Sequence, residues 1–235
     1  MTEKEAYKKL REDKRLGLQN FPENITNNHF DISSDKLIEE LELKISELKS
    51  QIESYNATPG YIKSLEIYFI EKELLAFSEM KIIYAHKHFE THLKFLLSSS
   101  YEEVEEKRLY KWAEVENLLK SKDINLKNIS NYSEISELRN LNNAIKHSRN
   151  MIDVKTKHIL ELRNKKEPYY KDLLEFYNRI EGCSLIFLTS LSKEIEKNLF
   201  EFENEQLEKI SVKLVSHMDP PTVSKLINKL ESKSN

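Results

Sequence analysis

Turn-making residues are scarce in this chain. Its 235 residues include 3 Gly and 5 Pro, and an all-β or Rossmann-type fold needs many more tight connections than that supply allows. Cysteine is scarcer still. Cys183 stands alone, which excludes an intramolecular disulfide, and its place in the apolar run CSLIFL reads as a small core residue. No apolar run approaches the roughly 20 residues of a membrane span. The opening MTEKEAYKKLREDK has no apolar signal-peptide core. A reducing cytoplasm is the expected compartment, with no membrane partner. Also missing are a phosphate-binding Gly-rich loop, a dinucleotide fingerprint, a Gly-x-Ser-x-Gly elbow and the aromatic signatures of sheet-based RNA-binding modules. No cofactor is expected.

Lys, Glu, Leu, Ile, Asn and Ser dominate instead, which favours helices with charged outer faces. The apolar share is 39%, with 11 Tyr and 10 Phe adding bulk. A core of that size is built most readily from long helices that each bury a narrow stripe, or from elongated or oligomeric packing.

Along the chain, residues 4–16 predict a short charged helix. The stretch 17–34, with Gly17 and Pro22, reads as an irregular connector. Ser34 or Asp35 then caps a helix in which Leu41, Ile45, Leu48, Ile52 and Tyr55 form a short heptad stripe, as in a helical hairpin packed on its own protein. NATPG at 56–60 is a break. Neither Gly nor Pro occurs from Tyr61 to Leu97, which predicts one helix about 55 Å long. Leu65, Tyr68, Phe69, Leu75, Ile82, Ala85, Phe89, Leu93 and Leu96 mark its apolar face. Ser100 and Glu103 have the spacing of a capping box for a helix ending near Lys120, with Trp112, Val115 and Leu119 inward. Asn131 and Glu134 have cap spacing for the next helix, which ends between 150 and 164. Pro168 precedes a long helix over 169–200 with Leu174, Tyr177, Ile180, Leu188, Leu191 and Ile195 inward. A further helix covers 203–217, and Asp219 caps a last one in DPPT. The fold class is all-α.

The segment ELRNLNNAIKHSRN, 137–150, carries the chemistry. Arg139, Asn143 and His147 lie at i, i+4 and i+8 and form one ridge, with Asn142 one residue off it and Lys146 four after Asn142. A guanidinium or ammonium can hold phosphate, an imidazole can move a proton at neutral pH, and an amide can orient either. From Arg139 to Lys166 eight Lys/Arg stand against two acids, a local +6 that leaves the remainder of the chain at −9 given the net −3. Such asymmetry suits an anionic ligand; a solvated helix end followed by a basic loop is the plainer alternative. In HKHFETH, His88 and His92 share the i, i+4 spacing of zinc ligands. However, Phe89 and not Glu follows His88, and no Cys pair offers further ligands. No metal site is expected.

Two segments together resemble the HEPN superfamily of small helical-bundle domains. AHKHFETHLKFLL, 85–97, looks like the family's first core helix, and LRNLNNAIKHS, 138–148, looks like its signature helix. The order of long helix, Trp-bearing helix, motif helix and long fourth helix agrees over 61–200. The resemblance implies a HEPN-like antiparallel helical bundle at 57–202, flanked by an N-terminal helical extension, 1–56, and a C-terminal helical tail, 203–235. Many HEPN domains are metal-independent ribonucleases in which two copies meet and form one composite site. Histidine assists attack of the ribose 2′-hydroxyl, and arginine holds the scissile phosphate. Other members bind nucleotides or partner proteins. Carried onto this sequence, the catalytic set is His147, Asn143 at the polar position, and Arg139 reaching from one turn earlier, because Asn142 stands where arginine is expected. Asn142, Lys146 and Arg149 are the substrate-binding set. Toxins paired with nucleotidyltransferase antitoxins carry Tyr two residues after the histidine, where this chain has Arg149. The expectation is a HEPN-like RNA-directed protein, a metal-independent endoribonuclease of a bacterial toxin or phage-defence type. Its partners would be RNA, a second copy in a homodimer, and a partner protein or antitoxin. The alternative is a non-catalytic HEPN-like scaffold that binds nucleic acid or protein. A third is a structural protein that uses the heptads of 36–55.

Overall fold

The computed structural model describes residues 2–25, 29–53, 58–147, 151–202 and 204–234. Among these residues there is no strand, and the fold is an all-α helical bundle. Its helices are α1 (Glu3–Gln19), α2 (His29–Glu53), α3 (Thr58–Ser100), α4 (Trp112–Ser121), α5 (Tyr132–His147), α6 (Tyr170–Ile180), α7 (Cys183–Phe200), α8 (Asn204–Val215) and α9 (Pro220–Ser234). No helix among the described residues is long and apolar enough to cross a membrane.

Helix α3 is the spine. It runs unbroken for 43 residues, as a stretch free of Gly and Pro after its first turn should. Three clusters of buried side chains follow it. At its N-terminal end Ile67, Ile70 and Leu74 meet Ile38, Ile45 and Leu48 of α2. In its middle Ile82 meets Leu138 and Leu141 of α5 and Leu173, Phe176 and Ile180 of α6. Near its C-terminal end Phe89, Leu93, Leu96 and Leu97 meet Val115 and Leu119 of α4 and Phe187, Leu191 and Ile195 of α7. Described residues of the N-terminal segment take part in this core: Leu18 and Phe21 join the third cluster, and Ser192 of α7 donates a hydrogen bond to the Leu18 carbonyl at 2.6 Å. Every described side chain of α8 and α9 is exposed or half-exposed.

Several helix boundaries differ from expectation, each for a visible reason. Helix α1 starts on a Thr2–Glu5 capping box, whose Thr2 N–H donates to Glu5 at 2.7 Å, and runs on to Gln19. Helix α2 begins at His29, so Ser34 is no cap; it is buried inside the helix with its hydroxyl on the Asp31 carbonyl. Ser100 is no cap either. Its hydroxyl donates to the Leu96 carbonyl at 2.6 Å, which keeps it in the last turn of α3, and Glu103 instead pairs with Lys122. The next α-helix therefore starts only at Trp112. Asn131 has a left-handed φ of 60° and donates to the Cys183 sulfur at 2.9 Å, so it does not cap α5. Helix α5 is described up to His147, residues 148–150 lie outside the described residues, and 151–164 carry no α-helix, so the helix does not extend into that stretch. The helix expected over 169–200 is two helices, broken at Gly182, whose φ of 77° is the left-handed conformation that glycine adopts without a Cβ clash. Leu65, Tyr68 and Phe69 are exposed and do not belong to the buried face of α3. Asp219 does cap α9, accepting from the Thr222 N–H at 2.9 Å. The break expected at 56–60 is not kept at its second half, where Thr58, Pro59 and Gly60 form the first turn of α3; Tyr55 and residues 56–57 lie outside the described residues.

Candidate phosphate-binding site

Helix α5 packs on α3 through Ile135, Leu138, Leu141 and Ala144, all buried. That stripe turns the ridge of Arg139, Asn143 and His147 toward the edge of the bundle. Arg139 is half-buried, while Asn143, Lys146 and His147 are exposed. Asn142 is buried, at 2% exposure; its amide N–H is 3.4 Å from the Asn143 side-chain oxygen, and its own oxygen has no partner among the described residues. The substrate-binding position expected at Asn142 therefore lies beneath the surface. Arg149 lies outside the described residues.

The Arg139 guanidinium lies 3.9 Å from the centroid of the Trp112 ring. Helix α4 starts at that tryptophan, whose indole N–H donates to Glu116 at 2.6 Å and so fixes the ring. Arg139 and Asn143 line a cavity of about 100 Å³ together with His86, Glu90, Lys94 and Trp112. No described carboxylate lies within 4.0 Å of Arg139. Burial lowers its pKa, as desolvation of a cation requires. Glu90 is engaged by Lys94 at 2.7 Å. The cavity thus holds a half-buried, ion-pair-free guanidinium clamped on an aromatic plate.

His86 is the residue that sequence reasoning left out of the site. It lies three before Phe89 and seven before Leu93, so helical spacing sets it beside the inward stripe of α3, and that spacing is the signal that could have found it. Its Nδ1 is buried with no partner among the described residues. Burial pushes its pKa down to about 4, with Lys146, Arg139 and Lys94 lowering it further and Glu90 opposing them. The unfolded chain, at the ordinary 6.5, binds a proton more readily between these two values. His86 therefore contributes stability that is complete above pH 6.5 and lost as pH falls through 4. Replacing His86 with Phe should flatten the acid loss of stability over that interval by on the order of 2 kcal/mol, after discounting for partial solvent access. Urea midpoints of both proteins across the interval check this, and parallel pH profiles would refute it.

His147 is not among the residues lining the cavity. Eight residues of helix rise set it about 12 Å along α5 from Arg139. The structure therefore joins Arg139 and Asn143 to His86, and leaves Lys146 and His147 on the open continuation of the ridge. His88 and His92 stack with ring centroids 4.3 Å apart, and the His92 Nδ1 lies 2.9 Å from the His88 carbonyl. No group of three or more His, Cys, Asp or Glu placed to hold a metal occurs among the described residues. A larger cavity of about 660 Å³ lies beyond the C-terminal end of α4, lined by exposed Glu116, Lys120, Asp123 and Lys127 over Leu126 and Tyr132. Its charges alternate in sign and include neither histidine nor arginine, so the chemistry follows the smaller one.

No family model, curated protein or solved structure matches this chain. Function therefore rests on the chain's own residues.

Proposed function

We propose that this is a HEPN-like RNA-directed protein with an antiparallel bundle at its centre, acting as a metal-independent endoribonuclease of a bacterial toxin or phage-defence type. One observation carries the proposal. A half-buried arginine without an ion pair shares one cavity with a histidine and an asparagine, and Lys146 and His147 extend the same helix face. Desolvating a cation is costly unless an anion meets it, and an RNA backbone supplies phosphates in a row. Arg139 and Lys146 hold them, Asn143 orients, and His147 moves the proton.

The exposure of His147 at the last turn of α5 suits a composite site in which a second copy brings its own helix to the same groove. Sedimentation equilibrium at tens of micromolar should show a dimer; a pure monomer would count against the composite site. A non-catalytic RNA-binding role is the second reading, and the burial of Asn142 at the position where the family has arginine favours it.

Salt dependence tests the phosphate contacts. Arg139→Ala and Lys146→Ala should each weaken single-stranded RNA binding and lower the log–log salt slope by ~0.7 per lost contact. An unchanged slope in both variants would move the RNA surface elsewhere.

A further inference from the structure

The cavity between α3, α4 and α5 is too small for a whole ligand. Pockets that enclose small molecules measure roughly 300–1,000 Å³, against about 100 Å³ here. It has room for a single chemical group while the rest of the ligand stays outside. Three features define that group. Arg139 is a half-buried cation without an ion pair among the described residues; the Glu116 carboxylate acts on it only through space, and Glu90, the carboxylate in the cavity, is held by Lys94. The guanidinium is stacked on Trp112, which occupies its face and leaves its planar edge of N–H donors free for a bidentate acceptor. His86 keeps a buried Nδ1 without a partner, and a buried polar atom is normally satisfied.

We propose that this cavity binds a terminal phosphate, a phosphomonoester, with Arg139 as the bidentate donor and the His86 imidazole and the Asn143 amide as further donors. The inference deepens the RNA-directed reading above and rests on it for the identity of the molecule that carries the phosphate. A monoester needs one exit from the cavity, whereas a phosphodiester within a strand needs two. The open ridge of Lys146 and His147 suits the strand, and the cavity suits its 5′ end. The low pKa of His86 is consistent with a neutral imidazole that donates one hydrogen bond.

The chain has one tryptophan, and it lies in this cavity, so intrinsic fluorescence reports occupancy directly. The full-length protein would be titrated with inorganic phosphate, with a nucleoside 5′-monophosphate, and with one short single-stranded RNA carrying either a 5′-phosphate or a 5′-hydroxyl. RNA affinity is read by anisotropy and occupancy by Trp112 emission. The 5′-phosphorylated RNA should bind about 10- to 100-fold more tightly than its 5′-hydroxyl twin, the range of one or two charge-assisted hydrogen bonds. That preference should vanish in Arg139→Ala and shrink in His86→Asn, which keeps a polar side chain should His86→Ala unfold. Equal affinity for the two RNAs would overturn the terminal-phosphate site and leave RNA binding intact. Emission changes with the monophosphate or inorganic phosphate but no RNA binding would uphold the cavity and overturn the RNA reading. No response to any of the four would overturn both.

Discussion

Replacing His147 with alanine should lower RNA cleavage by ~10²–10⁴-fold, the usual contribution of a positioned general acid or base. The fold should survive, because the side chain is exposed at the last turn of α5 and takes no part in any buried cluster. Asn143→Ala should cost less, since an amide orients and moves no proton. The informative partner is Asn142→Arg, which restores the family's arginine. Asn142 is 2% exposed, so an arginine there must thread its stem out past the α3–α5 contact, and the thermal midpoint should fall. If the wild-type site is a weakened nuclease, cleavage nevertheless rises. If the wild type cleaves no RNA and Asn142→Arg creates cleavage, the natural protein is a binding member. Equal cleavage by wild type and His147→Ala would remove His147 from the chemistry altogether.

The second large effect concerns stability. Lys81 of α3 has a side chain only 4% exposed, held by Asp31 at 3.2 Å and Asp35 at 2.7 Å, both from α2. Its ammonium also lies 4.2 Å from the centroid of the Tyr177 ring of α6. Burial, with a hydrogen bond to Asp31 behind it, raises the Tyr177 pKa. This cluster ties the start of α2 to α3 and α6. Removing both carboxylates in Asp31→Asn/Asp35→Asn leaves a buried ammonium without a counter-charge, which should cost about 3–5 kcal/mol. Either single variant should cost much less, because the other carboxylate remains. Lys81→Met should also be milder than the double variant, since Asp35 is 56% exposed and can rehydrate. Urea midpoints at unchanged slope would measure all four. Additive, small losses would show that the ammonium finds water or another partner. Affinity for RNA should not change, because none of these residues lines the Arg139 cavity.

What local chemistry could determine was readable in the chain itself. A run without Gly or Pro over 61–97 predicts one long helix, and α3 is one, because nothing in the run interrupts its backbone hydrogen bonds. Asp219 before two prolines predicts the start of α9, since the cap bond spans only three residues. Val115, Leu119, Leu191 and Ile195 are buried as their spacing predicts. The Arg139–Asn143–His147 ridge follows from helical periodicity alone. Tertiary structure decided the rest. Ser100 and Glu103 have the spacing of a cap, yet a competing bond to Leu96 and a distant lysine claim them. Gly182 sits inside an apolar pattern that reads as one helix, and only its left-handed backbone reveals the break between α6 and α7. Leu65 and Phe69 look like core, but α2 covers the neighbouring stripe of Ile67, Ile70 and Leu74. The composition of the site was decided in the same way. Arg139 and Asn143 lie on one helix, but His86 is 53 positions before Arg139 in the numbering and Trp112 lies on a third element. Periodicity relates side chains within a helix, whereas a cavity between three helices depends on how they pack. The apolar contacts that set this packing carry no mark of which polar groups they will bring together.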